Sequence, residues 1–233
     1  MMGYRIGIVL TFAFACSKQQ PPPEPVQLAE LMKTHFAHAE DMRDAIVNGD
    51  FVTLHDRARA LAEPVPVADL PEAWDEHLGA IRATARNIVG EYSPEKAAIG
   101  FANLAQTCAN CHQMTGSSLP IATYPIPPAD ADIQTHMLRH AWAAARMWEG
   151  LIAPSDERWE AGAKIVAAEP LEPKTYLGKS GPASLAAMGE NLHRIGINAV
   201  STKTQTDRAR IYADFIGKCS TCHGAVRNAK SQQ

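Results

Sequence analysis

The sequence lacks an excess of positive charge. Its 22 Lys and Arg are outnumbered by 25 Asp and Glu, and it contains no basic run. Nucleic-acid-binding surfaces depend on clustered positive charge, so that class of protein is disfavoured. Extensive disorder is disfavoured as well, because 46% of the residues are hydrophobic and only 20% are charged.

Patterns typical of β-strands are nearly absent, and the apolar run at the N-terminus is short. Ile6–Ala15 follows Arg5 and is too short to span a bilayer. Residues 1–15 resemble a bacterial lipoprotein signal peptide that is cleaved before a lipidated Cys16, and residues 16–25 form a Pro-rich tether. The expected location is the periplasmic side of a bacterial membrane, with membrane contact only through this anchor. An ordinary signal peptide beside an incidental cysteine is the alternative.

The remaining four cysteines form two identical motifs. These are Cys108-Ala109-Asn110-Cys111-His112 and Cys219-Ser220-Thr221-Cys222-His223. The C-x-x-C-H pattern is typical of haem c attachment. Two thiols one helical turn apart can reach the vinyl groups of one porphyrin edge, while the adjacent imidazole binds the iron. The sequence therefore predicts two covalently attached haem c groups.

Three other uses of paired cysteines explain the pattern less well. Disulfides suit an exported protein but leave the repeated histidine unexplained. A zinc site would have to join pairs 111 residues apart, whereas zinc ribbons separate theirs by about 15–20 residues. A thioredoxin-like pair needs a βαβ context, which the sequence does not show.

The chain contains two copies of one unit. At an offset of 105 residues, Met32-Lys33-Thr34-His35 aligns with Met137-Leu138-Arg139-His140, and Val47 aligns with Ile152. At an offset of 111, the two cysteine motifs superpose, and Arg82 aligns with His193. The repeat predicts two domains, at residues 26–113 and 131–226, joined by a Pro-rich linker at 114–130 and followed by a tail at 227–233.

Each copy contains four blocks with helical patterns. The predicted helices are 26–47, 51–62, 71–90 and 94–113, then 132–152, 156–168, 182–200 and 206–226. Several starts carry an N-cap candidate or a proline at the first helical position: Asp50, Ser93, Ser155, Pro71 and Pro182. Short connections favour an all-α fold of two tandem antiparallel four-helix bundles, each with a haem-binding C-terminal helix.

The late position of the motif in each unit resembles the class II cytochromes c, which include cytochrome c-prime and its low-spin relatives. The likeness covers about residues 26–113 and 131–226, and outside the motif it consists only of the helical pattern. It implies a haem c bundle with histidine as the proximal iron ligand. The matching residues are His112 and His223.

The distal face of each haem is expected to meet the start of the first helix of its unit. Two sets recur there at core-facing helical spacing: Met32, His35, Ala39, Met42 and Ile46, and Met137, His140, Ala144, Met147 and Leu151. His35 and His140 are the favoured distal ligands, because a buried imidazole needs a partner. Met32 and Met137 are the alternatives. A third possibility is that both histidines are ordinary core residues and that the distal position of each iron has no protein ligand.

Other histidines have weaker roles. His38, His55 and His136 lack an equivalent in the other copy and are expected at the surface. Arg82 and His193 share a column in the third helices, where they either meet a haem propionate or lie on a solvated face.

These features predict a dihaem electron carrier rather than an enzyme. The expected partners are redox proteins of the bacterial periplasm or cell envelope, and the chain shows no catalytic constellation. Gas binding at an open distal site is the alternative function. For the oligomeric state, the sequence is compatible with a homodimer and with a subunit of a larger redox complex.

Overall fold

A computed structural model describes residues 26–117, 119–121, 124–129, 132–168 and 183–231. The predicted signal peptide, the predicted lipidation site Cys16 and the predicted tether at 16–25 lie outside the described residues. So does Pro182, the predicted first residue of a helix.

The described residues form eight α-helices and no β-strand, which confirms the all-α class. The helices are α1 (Leu28–Asn48), α2 (Phe51–Ala62), α3 (Glu72–Arg86), α4 (Pro94–Thr115), α5 (Ile133–Ile152), α6 (Asp156–Ala167), α7 (Ala183–Ser201) and α8 (Gln205–Ser231). All eight lie where helical patterns occur, but α3 ends before residue 90 and α8 continues past 226. Among the described residues, no helix is long and apolar enough to cross a membrane.

Helix starts follow the predicted capping residues. Asp50 accepts a hydrogen bond from the Thr53 backbone N–H at 3.1 Å, and Ser155 accepts one from Arg158 at 3.3 Å. Ser93 caps α4 in the same way. These bonds satisfy N–H groups that have no partner within the helix.

Consecutive helices pack against one another in each half, from α1 to α4 and from α5 to α8. Glycines allow three close approaches in the second half. A Cβ on Gly150 would lie 2.6 Å from the Trp159 nitrogen, and one on Gly196 would collide with Ala167. Gly162 similarly faces the backbone of α5. The second half is therefore held together by backbone-to-backbone contact as well as by side chains.

The two halves meet mainly through α4 and α8, which run antiparallel. Thr221, late in α8, donates a hydrogen bond to Glu95 at the start of α4, 3.2 Å away. Gln205, at the start of α8, lines a small cavity with Asn110, late in α4. Phe101 of α4 stacks on Trp148 of α5, with ring centroids 4.5 Å apart.

The first helix of each half also crosses to the other half. Helix α1 has a larger contact with α8 than with α4, and α5 has a larger contact with α4 than with α8. The halves thus interleave around the α4–α8 pair, an arrangement that the expectation of two tandem bundles did not include.

Replacing Gly162 with Ala tests the close packing of α5 and α6. The added methyl would lie 2.6 Å from the Ala143 carbonyl oxygen and 2.7 Å from Met147 Cγ, so the helices must separate. We expect Gly162→Ala to lower the free energy of unfolding by about 1–3 kcal/mol in urea titrations. Gly79→Ala is the control, because its methyl has only Arg82 Nη2 nearby, at 4.0 Å. A Gly162 variant as stable as this control would contradict the expected clash.

Candidate functional site

The two cysteine motifs lie late in α4 and α8. Because these helices are antiparallel, the motifs lie toward opposite ends of the helix pair. All four thiols are free and partly buried, so the disulfide alternative is not formed here. Within the described residues, no cysteine belongs to a group of three side chains close enough to share a metal ion. The structure therefore does not assemble the alternative zinc site.

Burial controls the chemistry of the thiols. Burial, together with the neighbouring Cys111, raises the pKa of Cys108 to about 12. Burial and Cys222 have the same effect on the pKa of Cys219, which is also about 12. Protonated thiols at neutral pH are the opposite of the low-pKa nucleophile in thioredoxin-like proteins.

Each motif histidine is held by a hydrogen bond to the other half. His112 Nδ1 lies 2.8 Å from the carbonyl oxygen of Ile152, the last residue of α5. His223 Nδ1 lies 3.0 Å from the carbonyl oxygen of Val47, near the end of α1. Since a carbonyl can only accept, both Nδ1 atoms donate, and in a neutral imidazole this leaves the lone pair on Nε2. Val47 and Ile152 are equivalent positions of the repeat, so the arrangement is duplicated.

His140 is close enough to His223 for the two imidazoles to interact electrostatically. The His140 side chain is only 7% exposed, and its Nε2 has no hydrogen-bond partner. Burial lowers the pKa of His140 to about 3, and His136, His193 and His223 add to the effect. His140 is therefore neutral at physiological pH, the state in which imidazole binds a metal.

His35, the equivalent of His140, has different neighbours. It is half-buried, with an unpartnered Nδ1, and burial lowers its pKa to about 4. His38 and Arg82 contribute to this shift. The alternative ligands Met32 and Met137 are half-buried one turn earlier in α1 and α5. The distal ligand assignments stay predictions.

Three histidines come together in the second half. His136 and His140 are four residues apart on α5, with ring centroids 4.3 Å apart, and His193 of α7 lies 5.7 and 5.4 Å from them. One nitrogen of each ring lies within 4.8 Å of the others. We name these residues the three-histidine cluster. The i, i+4 pair was visible in the sequence, but nothing in the sequence connected it to His193.

Three histidines expected at the surface are wholly or partly buried, namely His38, His55 and His136. His55, expected at the surface, is buried and hydrogen-bonds through Nε2 to the Glu91 carbonyl oxygen at 2.9 Å. His136 is half-buried in the three-histidine cluster. For His193, a propionate contact and a solvated face were both open, and its exposure of 5% excludes the solvated face. The sequence does not show which residues these histidines contact. A single histidine also adds little to the hydrophobic pattern of its helix, so the pattern does not predict its burial.

No protein-family model, curated protein or solved structure matches the chain.

The lowered pKa of His140 makes stability depend on pH. The unfolded state takes up a proton below the ordinary value of 6.5, whereas the folded state does so only near 3, so stability falls as pH drops below about 6.5. From pH 7 to pH 5, His140 should cost about 2 kcal/mol of unfolding free energy. His140→Gln should reduce the pH-dependent loss by that amount in urea titrations at the two pH values.

The control for this measurement is Leu138→Gln, an exposed position on the same helix. It should leave the difference between pH 7 and pH 5 unchanged. An equal pH dependence in His140→Gln and the wild type would show that His140 has the same pKa in the folded and unfolded states.

Proposed function

We propose that this chain is a dihaem c-type cytochrome. It carries single electrons between redox partner proteins in the bacterial periplasm or cell envelope. Each half forms one haem unit, with thioether bonds from Cys108 and Cys111 or from Cys219 and Cys222. His112 and His223 are the proximal iron ligands.

The duplicated hydrogen bond of the motif histidines carries this proposal. A metal-binding imidazole commonly donates its second ring N–H to a backbone carbonyl, which sets the tautomer and orients the ring. His112 and His223 both do so, on the equivalent carbonyls of Ile152 and Val47. Neither a disulfide nor a four-cysteine zinc site would require these bonds.

His223 and His140 would hold the haem iron of the second unit through their Nε2 atoms. His223 keeps a free Nε2, and His140, within its electrostatic range, has a buried Nε2 without a partner. His35 supplies an equivalent half-buried imidazole in the first half. When bound, haem supplies a reversible one-electron change at iron, and the axial ligands and burial set its potential.

The contact between α4 and α8 supports electron transfer through both proposed haem sites of one molecule. Both motifs lie on this helix pair, and buried aromatic rings pack around it, with Phe101 and Tyr212 centroids 6.5 Å apart. Since side chains in such a core are closely packed, the distance between the two motifs is held by the fold. A carrier that passes electrons through both haems needs a constant separation.

Removing one cysteine pair should remove one haem. We expect Cys219→Ala/Cys222→Ala to keep a single covalent haem, measured by the mass of the denatured protein and by the pyridine haemochrome spectrum. Cys108→Ala/Cys111→Ala should behave in the same way. Cys16→Ser is the control and should keep both haems. Two covalent haems in either double variant would contradict the motif assignment.

The optical spectrum separates electron transfer from gas binding. We expect the reduced protein to give low-spin spectra that carbon monoxide leaves unchanged, because two protein ligands on each iron would leave no position for the gas. The protein is first treated with a chelator to remove any other bound metal. His35→Ala and His140→Ala should each convert one haem to a high-spin, carbon monoxide-sensitive form. Unchanged low-spin spectra in these variants would favour Met32 and Met137 as ligands. A wild type that binds carbon monoxide would instead support the gas-binding alternative.

A further inference from the structure

We infer that the three-histidine cluster binds one divalent transition metal ion of the class that prefers imidazole nitrogen, with zinc as the simplest member. The site consists of His136, His140 and His193. It uses neither cysteine motif and does not rest on the proposed haem function.

The geometry is close to that of a tri-imidazole site. His136 and His140 lie on one face of α5, because residues four apart in a helix are neighbours. In tetrahedral zinc sites the metal–nitrogen bonds are about 2.0–2.1 Å, which places ligand nitrogens roughly 3.4 Å apart. The cluster nitrogens lie within 4.8 Å of one another, so small rotations of the side chains are sufficient to bring them into range.

Two of the nitrogens have no other partner. His140 Nε2 and His193 Nδ1 are buried and make no hydrogen bond among the described residues. A buried polar atom without a partner costs free energy, which a metal bond would recover.

The first half shows why the site is specific to the second. The equivalents of His136, His140 and His193 are Leu31, His35 and Arg82. Leucine supplies no metal ligand. The positive charge of Arg82 lowers the pKa of His35, and the same charge would repel a metal cation at this position. One metal ion per chain is therefore expected, not one per half.

Three neutral imidazoles leave a fourth tetrahedral position for water or an added ligand, as in open zinc sites. The bound ion would join α5 to α7. Because one nitrogen of His140 cannot bind two metals, a chain with zinc in this site would leave Met137 or an open face to the second haem iron. The site thus competes with His140 as an iron ligand.

Metal analysis of the full, untagged chain tests the inference. Chelator-treated protein would be dialysed against micromolar zinc sulfate, and zinc and iron would be counted separately by mass spectrometry. We expect about one zinc ion per chain, with His140 released from the second haem iron as zinc binds. Both His136→Gln and His193→Gln should lose it while keeping the helical circular dichroism of the wild type. His38→Gln, a half-buried histidine outside the cluster, is the matched control and should retain zinc.

A wild-type chain that retains no zinc would overturn the inference, as would zinc retention unchanged in His136→Gln and His193→Gln. Covalent haem, counted in the same samples, reports separately on the proposed function. A protein with two haems and no zinc rejects only the metal site, and a protein with zinc and no haem rejects only the cytochrome assignment.

Discussion

The hydrogen bond between each motif imidazole and a helix-terminal carbonyl of the other half is the interaction on which the proposed haem sites depend. Carbonyls at the end of a helix have no partner within it, and the imidazole N–H supplies one. The bond also sets the tautomer, so Nε2 of His112 and of His223 is left free for iron. Because the acceptor comes from the opposite half, neither half alone presents its histidine in this way.

The same two helices provide the motifs and the interface between the halves. In α4, Phe101, Leu104 and Cys108 recur at helical spacing, and Tyr212, Phe215 and Cys219 do so in α8. The first cysteine of each motif therefore continues a buried stripe, which explains the raised pKa of both thiols. The second cysteine, one turn later, is less enclosed. Cys108 and Cys219 are thus half-buried and pack against the core.

The two halves share the same order of helices but differ in some of their buried polar side chains. The capping residues, the motifs and the carbonyls that receive the motif histidines are repeated. At the third-helix position, however, Arg82 faces His35 in one half, whereas His193 lies beside His140 in the other. A cation and an imidazole impose different chemistry on the same site, since only the imidazole can ligate a metal. The inferred metal site therefore belongs to the half that has an imidazole, not a guanidinium, at this position.

The sequence by itself determined the all-α class, the approximate helix positions and the location of the motifs. These depend on signals within a few residues, such as the cap from Asp50 to Thr53 and the periodic spacing of buried side chains. Only the tertiary structure decided that α1 and α5 cross between the halves, that His112 meets Ile152, and that His193 joins His136. These contacts connect residues far apart in the chain. A hydrophobic pattern tells which face of a helix is buried, but packing against a particular partner decides what that face meets.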